Sequence, residues 1–144
     1  MSSFRRLFKS LRAEVRAARH EPLFEDARRH QEALGQHLSV ASVLGLLSDD
    51  GPERYAERDA LTLALIAEQR RAPCSLWASV LLIAYFPMLS RLRHRIWGDA
   101  LPGEDLDQLV VLCFLKVVDE YPIDRHLDRT ALRLRQRTER LVFQ

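Results

Sequence analysis

The chain has 144 residues, 47% of them apolar and 29% charged, and a formal net charge of +2. That length supports one hydrophobic core, and the composition excludes an intrinsically disordered chain. The net charge is too small to point to nucleic acid by itself. Twenty of the 22 basic residues are arginine, a bias that fits GC-rich codon usage or surfaces built for carboxylates and phosphates.

Helical spacing begins at once. Phe4, Leu7, Phe8, Leu11 and Val15 share one face, and Arg5, Arg6, Lys9, Arg12, Arg16 and Arg19 crowd the other against a single Glu14. Such a basic amphipathic helix packs on its own domain, lies on an anionic membrane surface, or recruits a partner. It has no continuous apolar stretch and so is not a secretory signal. Pro22 marks a break, and the spacing predicts a second helix from Leu23 to Leu34, ending near Gly35. SVASVLGLL (residues 39–47) predicts a short apolar helix closed by the turn signal SDDGP (48–52).

A helix from about Glu53 to Arg71 turns Leu61 and Leu65 inward. Another is expected from Ser75 to Trp97, kinked or restarted at Pro87, which cannot donate within a helix. Its apolar stretch, LWASVLLIAYF (76–86), is well short of the roughly 20 residues a membrane span needs. Cys74 and Cys113 form no CxxC motif and are expected as reduced core residues of a cytoplasmic protein.

GEDLDQLVVLCFLKVVDEYP, Gly103 to Pro122, predicts a helix with acids in its first turn and apolar residues nearly all the way round. At about 100° per residue, Leu106, Val110, Cys113, Phe114, Val117 and Val118 form one apolar arc. Leu109, Leu112 and Leu115 interrupt the polar side. Two readings stand: a central helix covered on both sides, or a helix with an exposed docking edge at Asp105, Gln108, Leu109 and Leu112.

The last helix runs to about Phe143, with Leu127, Ala131, Leu134, Thr138 and Leu141 facing the core. Arg125, Arg129, Arg133, Arg137 and Arg140 form a second stripe, with Arg135 nearby. They would contact nucleic-acid phosphates, or form a solvated face paired locally with Asp128 and Glu139. No period-two alternation is sustained anywhere. The expected fold is all-α, a single-domain bundle of about six or seven helices.

Nothing in the chain favours catalysis. His20, His30, His37, His94 and His126 show no metal-ligand spacing, no glycine-rich phosphate loop or nucleophile motif occurs, and Asp49-Asp50 belongs to a turn. The expectation is no enzyme, no metal and no cofactor.

Tyr85 to Pro122, YFPMLSRLRHRIWGDALPGEDLDQLVVLCFLKVVDEYP, resembles region 2 of bacterial RNA polymerase sigma factors, most of all the small extracytoplasmic-function type. The matching residues are Tyr85 and Pro87, then Arg91, Arg93 and Arg95, Gly98-Asp99, Glu104-Asp105-Leu106, Gln108 and Val110. With LRLRQRTER near the end, the resemblance covers about residues 85–143. It divides the chain into residues 1–75, a helical extension expected to pack on the rest, and residues 76–144, a sigma-like helical domain.

The resemblance implies that Asp105, Asp107, Gln108, Leu109 and Leu112 meet the clamp helices of the polymerase's largest subunit. It also implies that the following helix faces promoter DNA. Leu109 stands where the family usually has an acid, and the final helix has no aromatic before Phe143 to stack on unpaired bases. The implied function is a sigma-like transcription protein that binds polymerase core with a weaker DNA contact, lacking the second promoter-reading domain. The alternative is a non-catalytic helical adaptor that self-associates, binds another protein or rests on a membrane surface.

Overall fold

The computed structural model describes residues 2–96 and 101–144, and these contain helices and turns with no strand. Nine α-helices occur among the described residues: α1 (Ser3–Val15), α2 (Glu21–His30), α3 (Glu32–Gly35), α4 (Val40–Leu47), α5 (Tyr55–Arg71), α6 (Ser75–Ala84), α7 (Phe86–Arg95), α8 (Gly103–Glu120) and α9 (Thr130–Val142). The bundle is all-α, as the spacing predicts. Trp97, Gly98 and Asp99, part of the expected kinked helix and of the sigma-like stretch, lie outside the described residues.

Local chemistry sets most of the boundaries. The Ser2 hydroxyl accepts from the Arg5 amide to start α1, and the Ser39 hydroxyl accepts from Ser42 to start α4. Pro87 sits in the first turn of α7, where its missing N–H costs nothing, and α6 and α7 meet at a bend of 68°. Among the described residues no single helix is long and apolar enough to cross a membrane.

The expected helix from Leu23 to Leu34 is broken at Gln31, whose backbone is extended (φ −120°, ψ 112°). Beyond it α3 folds back on the end of α2. Arg28 donates to the Gly35 carbonyl at 3.2 Å, and a Cβ on Gly35 would stand 3.2 Å from the Arg28 carbonyl oxygen. The close approach favours glycine there.

The core runs through α5, α6 and α8. Leu61, Leu65 and Ile66 of α5 are buried with Trp77, Val80 and Leu81 of α6 and with Val110, Phe114 and Val118 of α8. Each such side chain contributes about 1.5–3 kcal/mol relative to exposure. The first helix belongs to the same core. Phe4 and Phe8 are buried, and their rings lie 5.8 and 4.5 Å from that of Phe86. The apolar face of α1 is therefore used inside the fold, with Leu7 partly exposed at its margin.

Polar side chains join the layers. Asp59 of α5 accepts from the backbone amides of Arg129 (3.2 Å) and Thr130 (2.9 Å), capping the start of α9 from another helix. At the other end of α5, Arg70 donates to the carbonyls of Val118, Asp119 and Tyr121 at 3.1, 2.9 and 2.6 Å. A cation on those carbonyls suits the negative end of the α8 dipole. Arg71 bridges buried Glu68 at 2.5 Å and Asp26 of α2 at 2.6 Å. Hydrogen bonds to both carboxylates raise the Arg71 pKa, and the bond from Arg71 holds Asp26 below its usual value.

Candidate functional site

Helix α8 is held in place along its inner side and left bare along its outer one. Val110, Cys113, Phe114, Val117 and Val118 are buried, as their common arc predicts, and burial raises the Cys113 thiol pKa. On the opposite side Asp105, Gln108, Leu112 and Lys116 are exposed, with Leu109 and Leu115 half-buried beside them. Leu112 is 64% exposed, so this helix is not covered on both sides along its whole length. Neighbours do not cover its outer side among the described residues.

Asp107 corrects the expected docking set. It is only 6% exposed, forms an ion pair with Arg93 of α7, and accepts from the Ser3 hydroxyl of α1. Arg93 also lies over the Phe4 ring, 5.6 Å from its centroid. Asp107 thus joins three helices inside the fold and is withdrawn from any partner. The pattern held a signal of this. At about 100° per residue Asp107 projects between Phe114 and Val118, inside the apolar arc.

The remaining edge is a row of side chains at helical spacing. Asp105, Gln108 and Leu112 sit at i, i+3 and i+7, with Leu109 at i+4. Asp105, Gln108 and Lys116 make no side-chain hydrogen bond or ion pair among the described residues. Glu104, Asp119 and Glu120 are exposed along the same helix, so the surface around the leucines is mainly acidic. An acidic edge with an apolar centre suits a basic partner helix. The carboxylates would take guanidinium forks while Leu112 is buried.

The six arginines expected to face nucleic acid do not form one free stripe. Helix α9 begins at Thr130, so Arg125 lies in the preceding loop and Arg129 caps the helix in the left-handed region at φ 53°. Leu127, expected to face the core, is in that loop and 59% exposed. On α9 itself Arg133 pairs with Asp128 at 3.2 Å, and Arg137 lies over the Tyr121 ring at 5.6 Å. Arg135 stands 3.9 Å from Glu139, which also receives Arg95 at 2.9 Å. Arg125, Arg129 and Arg140 are left exposed with no carboxylate partner among the described residues. The local-pair reading accounts for the middle of the stripe.

No group of three or more His, Cys, Asp or Glu capable of holding a metal occurs among the described residues. Tyr85, the first residue of the sigma-like stretch, is buried with its hydroxyl 2.9 Å from the Thr62 hydroxyl, and burial pushes its pKa up to about 12. It is therefore part of the core. Local pattern gave no sign of Asp59 or Arg70 as structural groups, because their partners lie 70 and about 50 residues away.

Comparison of the chain with protein-family models, with curated proteins and with solved structures found no match to any of them.

Proposed function

We propose that this chain is a non-catalytic, sigma-like docking protein that binds RNA polymerase core through the outer edge of α8. One observation carries the reading. In the sequence stretch that resembles sigma region 2, Asp105, Gln108 and Leu112 form an exposed row with no side-chain hydrogen bond or ion pair among the described residues. An edge of this kind is built for another helix, and the clamp helices of the polymerase's largest subunit are the occupant the resemblance names. The reading implies a cytoplasmic protein. Promoter DNA is a weaker second contact, limited to Arg125, Arg129 and Arg140, because Arg133, Arg135 and Arg137 are engaged within the protein.

The test is retention of purified protein on bacterial RNA polymerase core, comparing wild type with Asp105→Arg, Gln108→Arg and Leu112→Arg. Each substitution lies on an exposed site and should leave the fold intact. Wild-type retention with about tenfold or greater loss in each variant supports the proposal, since centre-of-interface changes commonly cost 2 kcal/mol or more. Failure of wild type to bind at low salt would reject it. A second reading, self-association through the same edge, is favoured by the exposed Leu112 and would appear as a concentration-dependent mass abolished by Leu112→Arg.

A further inference from the structure

A cleft of about 710 Å³ opens on the side of the bundle formed by α1, α4, α7 and α9. That volume lies within the range of small-molecule sites, roughly 300–1,000 Å³. Its wall is apolar where Leu44 and Leu47 of α4 face Ile83 of α6 and Leu132 of α9. Five arginines line it, Arg12, Arg58, Arg91 and Arg135 from four helices and Arg16 just past the end of α1, whereas Asp50 is the one carboxylate in the described lining. Arg16, Arg58 and Arg91 have no carboxylate partner within 4.0 Å among the described residues, whereas Arg12 lies over the Phe86 ring at 5.2 Å.

Two further features point to an occupant. The Arg58 Nε atom is shielded from solvent and has no hydrogen-bond acceptor among the described residues. A shielded charged donor is costly unless something accepts from it. The second feature is Gly45, which stands inside α4 and lines the cleft. Its φ is not positive, and a Cβ added to it would meet nothing within 4 Å. Neither backbone conformation nor close packing calls for glycine there, although glycine weakens a helix. What the missing side chain does is leave the cleft open.

We propose that this cleft binds a small amphipathic anion, a phosphate or carboxylate head on an apolar tail. Arg58, Arg16 and Arg91 hold the head, and Leu44, Leu47 and Ile83 take the tail. The mixture of guanidinium groups and aliphatic wall matches neither an inorganic ion nor a neutral lipid. The cleft shares no residue with the outer edge of α8.

The probes are decyl phosphate, decanoate, decanol and inorganic phosphate. Each is titrated below its aggregation concentration into the full chain, by calorimetry and by methyl resonances of Leu44, Leu47 and Ile83. Expected is saturable one-to-one binding of decyl phosphate or decanoate with shifts at those methyls, and at least about tenfold weaker binding of decanol and inorganic phosphate. The head chemistry is phosphate or carboxylate according to which amphiphile binds more tightly. Arg58→Gln should weaken binding about tenfold, the usual size of one charge-assisted bond. Gly45→Leu should fold at least as stably and weaken binding by a similar factor, whereas Arg5→Gln on the exposed face of α1 should not change it. Should Gly45→Leu unfold, Arg58→Gln and the methyl shifts decide. Absence of saturable binding by both amphiphiles overturns the proposal, as does affinity unchanged in Arg58→Gln. Binding of inorganic phosphate alone, or of an acidic amphipathic peptide in place of both amphiphiles, also overturns it. Polymerase retention depends on α8 and is unaffected by these variants, so the two proposals fail separately.

Discussion

Helices α5 and α8 are both long and central, yet they spend their polar residues differently. Four polar side chains of α5 complete other elements: Asp59 caps α9, Thr62 meets Tyr85, Arg70 closes α8 and Arg71 ties in α2, with Arg58 and Gln69 the exceptions. On α8 only Asp107 is used in this way, and the outer row from Asp105 to Lys116 has no partner among the described residues. One helix is finished by the fold. The other is finished on a single side, and that difference separates residues that maintain the structure from residues available for recognition.

The sharpest way to break this contrast is to remove the one inward acid of α8. Asp107→Ala leaves Arg93 largely buried without its carboxylate and Ser3 without its acceptor. The expected loss is about 3 kcal/mol by urea denaturation, the lower end for a broken buried pair because Arg93 retains some exposure. A loss below 1 kcal/mol would remove Asp107 from the structural class.

Alkaline stability probes the α5–α6 contact. The Tyr85 pKa rises from 10.0 to about 12 because ionising it inside the core is unfavourable. Between those values the unfolded chain has released this proton and the folded chain retains it, so raising pH favours unfolding. The contribution is fully present below pH 10 and lost as pH rises through about 12. It is worth roughly 2–3 kcal/mol over that window. Tyr85→Phe should flatten this limb in denaturation midpoints measured across the same range.

Removing the cap that α5 gives α9 should have a smaller effect. Asp59→Ala is expected to cost about 1–2 kcal/mol, with faster amide exchange at Thr130 and the residues after it. Smallest of all should be Asp105→Ala, Gln108→Ala and Leu112→Ser. Each should change stability by no more than about 0.5 kcal/mol, although all three lie on the proposed docking edge.

Local chemistry made the helices legible, and distant pairing hid most of the rest. The acids at the start of α8, the Tyr-Pro after its end and Pro87 at the α6–α7 break all act within one turn of where they stand. Periodicity likewise marked the buried arc of α8 and the inward face of α1. It ran through Gln31 because neither proline nor glycine signals that break, which rests on the close fit of Gly35 against α2. The start of α9 was similarly obscure, since its cap comes from Asp59, 71 residues earlier. Asp107 is a different case. Its projection placed it inside, while the sigma-like pattern placed it on the docking edge, and its ion pair agrees with the projection.

The position of α1 has a consequence for synthesis. Phe4 and Phe8 leave the ribosome first, but Phe86 and Asp107, which receive this helix, are made in the second half of the chain. Until α6 and α7 emerge, the nascent protein carries an unburied apolar face flanked by arginines, because those helices are what cover Phe4 and Phe8. Asp107 ties α1 down only when α8 follows. Closure of the core is therefore confined to the second half of synthesis. A force profile recorded on stalled chains should stay flat until α6 and α7 clear the exit tunnel and rise again when α8 follows.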